Sequence, residues 1–133
     1  MIEADIIAYL DPSIDETVDV DIFEGPLPEA PANCVAVDHY NSQPSDDYEM
    51  SPSLTAPGSE LEDFQIAVRN TSRATARTKA NAIHVLLDNL GPVTLSGRVY
   101  SQVTSDGPPF CLKQDEGGRW HYVANYHARK ARG

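Results

Sequence analysis

No lysine or arginine occurs before position 69 in this 133-residue chain. Residues 1–68 hold 16 aspartates and glutamates and no cation, whereas residues 69–133 hold 4 acids and 10 cations. The halves therefore carry −16 and +6, against −10 overall. The lack of a net basic footprint disfavours direct DNA binding by the whole protein. Cysteine is scarce too. Cys34 and Cys111 form no CxxC or Cys/His cluster that would hold zinc, and they are expected to be reduced, buried thiols. No apolar run approaches the roughly 20 residues of a membrane-spanning helix. The opening "MIEADIIAYLD" lacks a basic stretch and is not read as a signal peptide. GxSxG, P-loop and HExxH motifs are all missing. Nothing here calls for catalysis, a cofactor or a bound metal.

What is present is enough for a core. Hydrophobic residues make up 41% of the chain, and its length fits one domain spanning residues 1–133. Ile2, Ile6 and Leu10 recur at near-helical spacing, and Asp11-Pro12 stops the pattern. A proline-punctuated connection follows, with a brief extended piece at residues 18–23. "CVAVDHY" (34–40) and "DFQIAVRN" (63–70) alternate as half-buried strands do. Residues 41–62 between them are rich in serine, proline and acids, which predicts a long loop or a β-hairpin arm. "TSRATARTKANAIHVLLDNLGP" (71–92) predicts the longest helix. Thr71 or Ser72 caps it, Ala76, Ala80, Ile83, Leu87 and Leu90 form its apolar stripe, and Gly91-Pro92 stops it. "VTLSGRVYSQVTSD" predicts one or two short strands, and "FCLKQ" and "RWHYVANYHAR" predict two more around the "DEGG" turn. The expected class is α+β: a mixed or antiparallel sheet of about four to five strands, with the N-terminal helix and the long helix on one face.

In "RWHYVANYHAR", Trp120, Tyr122, Ala124, Tyr126 and Ala128 share one face, and His121, Val123, Asn125, His127 and Arg129 the other. His121 and His127 are about 20 Å apart along a strand at roughly 3.4 Å per residue, too far to share a metal ion. Asp115 and Glu116 belong to a turn, and nothing in the sequence sets their pKa values apart for acid–base work. "DPSIDETVDVD" (11–21) fails as a calcium loop, because Glu16 and Ile22 stand where glycine and glutamate are needed. His39 and His84 are expected on strand and helix surfaces. The charge split predicts subunit contacts in which one copy's acids meet a neighbour's cations, in competition with pairing inside each chain. Arg73, Arg77 and Lys79 on the first helical turns are the leading candidates, followed by Arg129, Lys130 and Arg132. Val85 lies opposite the apolar stripe and is a candidate apolar contact.

Two motifs then bear a resemblance. "FQIAVRNTSRATARTKANAIHVLLDNL" is a strand ending in "VR", a short polar link, and a helix of small residues ending in "I..LL". "PPFCLKQDEGGRWHYVANYHARK" is a proline, a strand, an acid-rich glycine turn, an arginine, and a strand with an aromatic-Asn-aromatic register. With "LPEAPANCVAVDHY" as approach and first strand, their order resembles the tail-terminator (tail-completion) proteins of long-tailed bacteriophages. The likeness covers roughly residues 2–130. The family's link often carries glycine where this chain has Asn70. The resemblance implies a non-enzymatic virion protein at the tail–neck junction, assembled in the host cytoplasm. It implies a homo-oligomeric ring, commonly a hexamer, that caps the tail tube. Implied partners are the tail tube protein and the head–tail connector or stopper protein, with DNA passing through the lumen unbound. Alternatives are a neck stopper protein or, from another class, an acidic module that mimics DNA.

Overall fold

A computed structural model describes residues 2–10, 22–44 and 59–131. Helix α1 spans Ile2–Leu10 and buries Ile2, Ile6, Ile7 and Leu10. Strands β1 (Ile22–Glu24), β2 (Cys34–Pro44) and β3 (Ser59–Asn70) follow, then helix α2 (Arg73–Leu87). Four strands complete the described chain: β4 (Val93–Leu95), β5 (Arg98–Ser105), β6 (Phe110–Gln114) and β7 (Trp120–Ala131). They form one mixed sheet in the order β1-β2-β3-β7-β5-β4, with β6 also paired to β7. Only β1 and β2 are parallel; the other pairs are antiparallel. Along its edge away from β3, β7 pairs first with β6 at residues 120–123 and then with β5 at residues 126–130.

Both helices pack on the same face. Alternating residues Val35 and Val37, Phe64, Ile66 and Val68, and Tyr122, Ala124, Tyr126 and Ala128 meet the α2 stripe and α1 there. α1 touches β1 and β2 at one end of the strand order and β4 at the other, so the sheet curls around it. On the opposite face Ala36, Ala67 and Val123 are buried with Leu27 against them. The 25–33 connection is held near that face by Arg69. Its guanidinium donates to the carbonyls of Glu29, Pro31 and Ala32 at 3.3, 2.7 and 3.2 Å.

The sheet corrects the expected count of four to five strands: there are seven among the described residues. β1 and β4 have three residues each; they fall in the expected extended piece and in "VTLSGRVYSQVTSD", and are too short for alternation to mark each as a separate strand. The 41–62 segment also contains strand at both ends. Asn41 to Pro44 pair with Asp63 to Glu60, leaving 45–58 outside the described residues. Ladder bonds are made by backbone, so polar side chains extend a strand without an apolar signature. The 11–21 segment and most of the extended piece at 18–23 lie outside the described residues as well, though β1 contains its last two positions.

α2 ends three residues before the last residue of its expected stripe. Asp88 is the C-cap, and Asn89 takes a positive φ of 58°. Leu90 then exchanges two backbone hydrogen bonds with Val103, at 3.1 and 2.7 Å. The sheet thus satisfies groups that another helical turn would have used. Gly91 is needed for a different reason than a helix stop. Its φ is 127°, and a Cβ there would lie 2.6 Å from the Ser101 carbonyl oxygen.

Candidate functional site

Helix α2 carries four of the candidate contact residues, Arg73, Arg77, Lys79 and Val85. The helix contains no acid, and Arg73, Arg77 and Val85 are exposed on it. Val85 is 78% exposed, the highest of the large apolar residues among those described. Lys79 is half-buried and lines an open recess of about 350 Å³ with Ala74, Thr75 and Thr78. Ser72 caps the helix, its hydroxyl accepting from the Thr75 amide at 3.3 Å. Arg73 is already engaged: its guanidinium lies 4.9 Å from the Trp120 ring centre and donates to the Tyr122 hydroxyl at 3.2 Å.

The second group of candidates is elsewhere. Lys130 pairs with Glu62 of its own chain at 3.2 Å, and Arg129 is half-buried on the opposite face. Lys130 is eight residues beyond Tyr122, about 25 Å away at roughly 3.3 Å per residue. The two groups of cations therefore form no single patch. Arg132 lies outside the described residues. An apolar edge lies outside the residues expected from the sequence: Phe110 and Leu112 on β6 are 49% and 55% exposed, and the outer edge of β6 is unpaired among the described residues. Alternation in "FCLKQ" was the available signal, with Cys111 on the core side.

The histidines were also underestimated. Each of the four meets a carboxylate. His39 pairs with Glu62 at 2.7 Å, and His84 lies 3.8 Å from Asp88 with its Nδ1 3.0 Å from the Tyr126 hydroxyl. His121 is buried beside Asp115 at 2.8 Å, and His127 bridges Asp63 and Asp106. The 115–118 turn is therefore more than a glycine-rich reversal. Asp115 accepts from the Gly117 and Arg119 amides at 2.9 and 3.0 Å and from the Arg119 guanidinium at 2.8 Å. His121 first, then Arg119, hold the Asp115 carboxyl well below the usual carboxylate range. These groups brace strands and a turn. Among the described residues, no three histidines, cysteines or acids are grouped to hold a metal ion. The two cysteines are not joined in a disulfide; Cys34 is buried as expected, but Cys111 only half-buried.

The family model described as "Bacteriophage tail terminator protein" matches residues 12–132. The chain belongs to the bacteriophage tail terminator family. It is a structural virion tail protein that works among other virion components. A solved chain from the "Virion of native gene transfer agent (GTA) particle" shares the fold. That match has a TM-score of 0.57 at 16% identity, covering 81% of this chain and 77% of that one. No curated protein sequence matches closely enough to add to this. The outer face of α2 and the β6 edge expose Val85, Phe110 and Leu112, and among the described residues no helix is long and apolar enough to cross a membrane.

Proposed function

We propose that copies of this chain close into a ring, six to the ring, that caps the finished tail tube. The ring stops tube growth and presents the surface on which the head connector or stopper protein docks. Family membership across residues 12–132 is the observation that carries this reading. The physics is consistent with it. A heterologous ring needs two complementary patches per subunit. The acid-free outer face of α2 supplies cationic and apolar groups for one. The acids of residues 1–68 supply the other. Each copy adds a further −10, so interlocking and counter-ions must offset the repulsion. An acidic lumen lets DNA slide past, since phosphate is gripped mainly by lysine and arginine. No chemistry is performed, and the site of action is the tail–neck junction, reached by assembly in the host cytoplasm. The whole of 1–133 acts as one domain, with 41–62 as an arm toward a neighbouring subunit or tail component.

Electron microscopy of the purified protein, alone and with tail tubes, tests this. Single rings, and tubes ending in one ring, are the expected images. Long polymers of the protein alone would identify a tube protein instead. Binding to connectors but never to tubes would identify a neck stopper. A monomer that ignores both, yet complexes a DNA-binding enzyme or repressor, would identify a DNA mimic.

A further inference from the structure

Glu62 and Asp63 are adjacent on β3 and point to opposite faces of the sheet, and both are only 6% exposed. A histidine from another strand meets each of them. On the helix-bearing face, Glu62 takes His39 from β2 and the permanent cation Lys130 from β7. On the other face, Nδ1 of His127 from β7 meets Asp63, while its Nε2 meets Asp106 at 2.5 Å. Asp106 lies just after β5, in the turn that leads to β6. All this happens where β2 is irregular: Tyr40 is the extra residue between paired His39 and Asn41. Beyond that bulge, β2 and β3 run on as the paired segments 41–44 and 60–63.

The geometry at His127 has one chemical consequence. A neutral imidazole carries one N–H, and a charged one carries two. With a carboxylate oxygen at both ring nitrogens, only the charged ring donates to both. Neutralisation leaves a lone pair facing one carboxylate. Asp63 is buried and cannot turn to water; Asp106, with a side chain 57% exposed, can. We infer that His127 is a pH-operated latch. Charged, it ties the root of the β2–β3 extension to the Asp106 turn; neutral, it keeps Asp63 and lets the turn go. The turn leads directly into the exposed edge strand β6, so release loosens the chain ahead of Phe110 and Leu112.

The surroundings agree in sign. Burial works against the charged ring, but hydrogen bonds to Asp63 and Asp106 outweigh it and raise the His127 pKa above the ordinary histidine value. Tyr40, from β2, is the other titratable group near these acids; burial and then the charges of Asp63 and Asp106 push its hydroxyl up. Asp38 of β2 and Arg129 of β7 are the adjacent charged positions on this face, and Arg69 of β3 and the titratable His121 of β7 lie on it further along the strands. The latch is therefore closed at and below the ordinary histidine pKa, and opens as pH rises through the raised value.

Nitrogen-15 NMR of the histidine rings, with amide exchange followed across pH 5 to 9, tests the latch in the full chain. Both His127 nitrogens should carry protons at pH 6.5. The Asp106 amide, bonded to the Asn125 carbonyl at 3.0 Å, should exchange faster above the His127 midpoint than below it, after correction for intrinsic chemistry. His127→Gln should abolish that step, and His39→Gln should keep it. Asp106→Asn removes only an exposed carboxylate, so it decides the matter even if His127→Gln fails to fold: the His127 midpoint must fall. A singly protonated ring at pH 6.5, a step that survives His127→Gln, or an unmoved midpoint in Asp106→Asn would overturn the inference.

Discussion

Asp5 shows how a single residue can join distant parts of this fold. It is 1% exposed on α1, accepting from the Arg98 guanidinium at 3.0 Å and the Tyr100 hydroxyl at 2.5 Å. Burial and then Asp5 push the Tyr100 hydroxyl far up, so it remains a donor at any ordinary pH. Asp5→Ala leaves a buried hydroxyl unpaired and is expected to cost about 2–3 kcal/mol, with Tyr100→Phe costing less. Urea unfolding, compared at unchanged m, reads both. Asp115 makes a pH prediction. Its pKa is depressed, so its contribution is present above the usual carboxylate pKa of about 4 and is lost as pH falls through the lower folded value. Asp115→Asn should therefore flatten the loss of stability on the acid side. Acid titration of Trp120 fluorescence in both proteins is the measurement, and an identical profile would remove Asp115 from the account.

At the scale of the element, α2 is a helix whose two ends obey different rules. The Ser72 cap is local, and Ser72→Ala should cost about 1 kcal/mol. The C-terminal end is set by β5. Gly91→Ala places a methyl 2.6 Å from a backbone oxygen at a φ that side chains rarely adopt. Backbone strain of this kind costs on the order of 1–3 kcal/mol. Thermal unfolding should show the Gly91 variant as the less stable of the two. Equal losses would mean that the 90–103 pairing gives way easily. Val85 offers a contrast. At 78% exposure it holds nothing inside its own subunit, so Val85→Lys should leave stability within about 0.5 kcal/mol.

Across the whole molecule, the charge split is partly satisfied within the chain, and the proposed ring would use the rest. Some of it is spent internally, with Arg98 on Asp5 and Lys130 on Glu62 joining opposite halves of the chain. Arg73 is occupied by Trp120 and Tyr122. Arg77, exposed on an acid-free helix, is the cleaner test of contacts between subunits. Arg77→Glu should give a folded protein that assembles more weakly. The difference should shrink with salt, because exposed pairs are worth only about 0–1 kcal/mol each and are screened over about 8 Å at physiological ionic strength. Light scattering over a salt series measures this. Assembly indifferent to Arg77→Glu but lost in Val85→Lys would make the interface apolar.

The order of elements was legible in the sequence because it rests on periodicity. Ile2, Ile6 and Leu10 marked α1, Ala76 to Leu87 marked the α2 stripe, and alternation from Trp120 to Ala128 marked the core face of β7. Such patterns survive without knowledge of neighbours, since burial of one face is what creates them. Exposure of Val85 followed from the same rule. What only the tertiary structure decided depends on residues far apart in sequence. Polar residues at 41–44 become strand because β3 offers them backbone partners. Leu90 leaves the helix because Val103 is waiting. Asp63, Asp106 and His127 are separated by dozens of residues of unremarkable composition, and meet only because β3 and β5 both lie beside β7. A sequence shows which side chains can carry a proton or a charge; the sheet register decides which of them face each other.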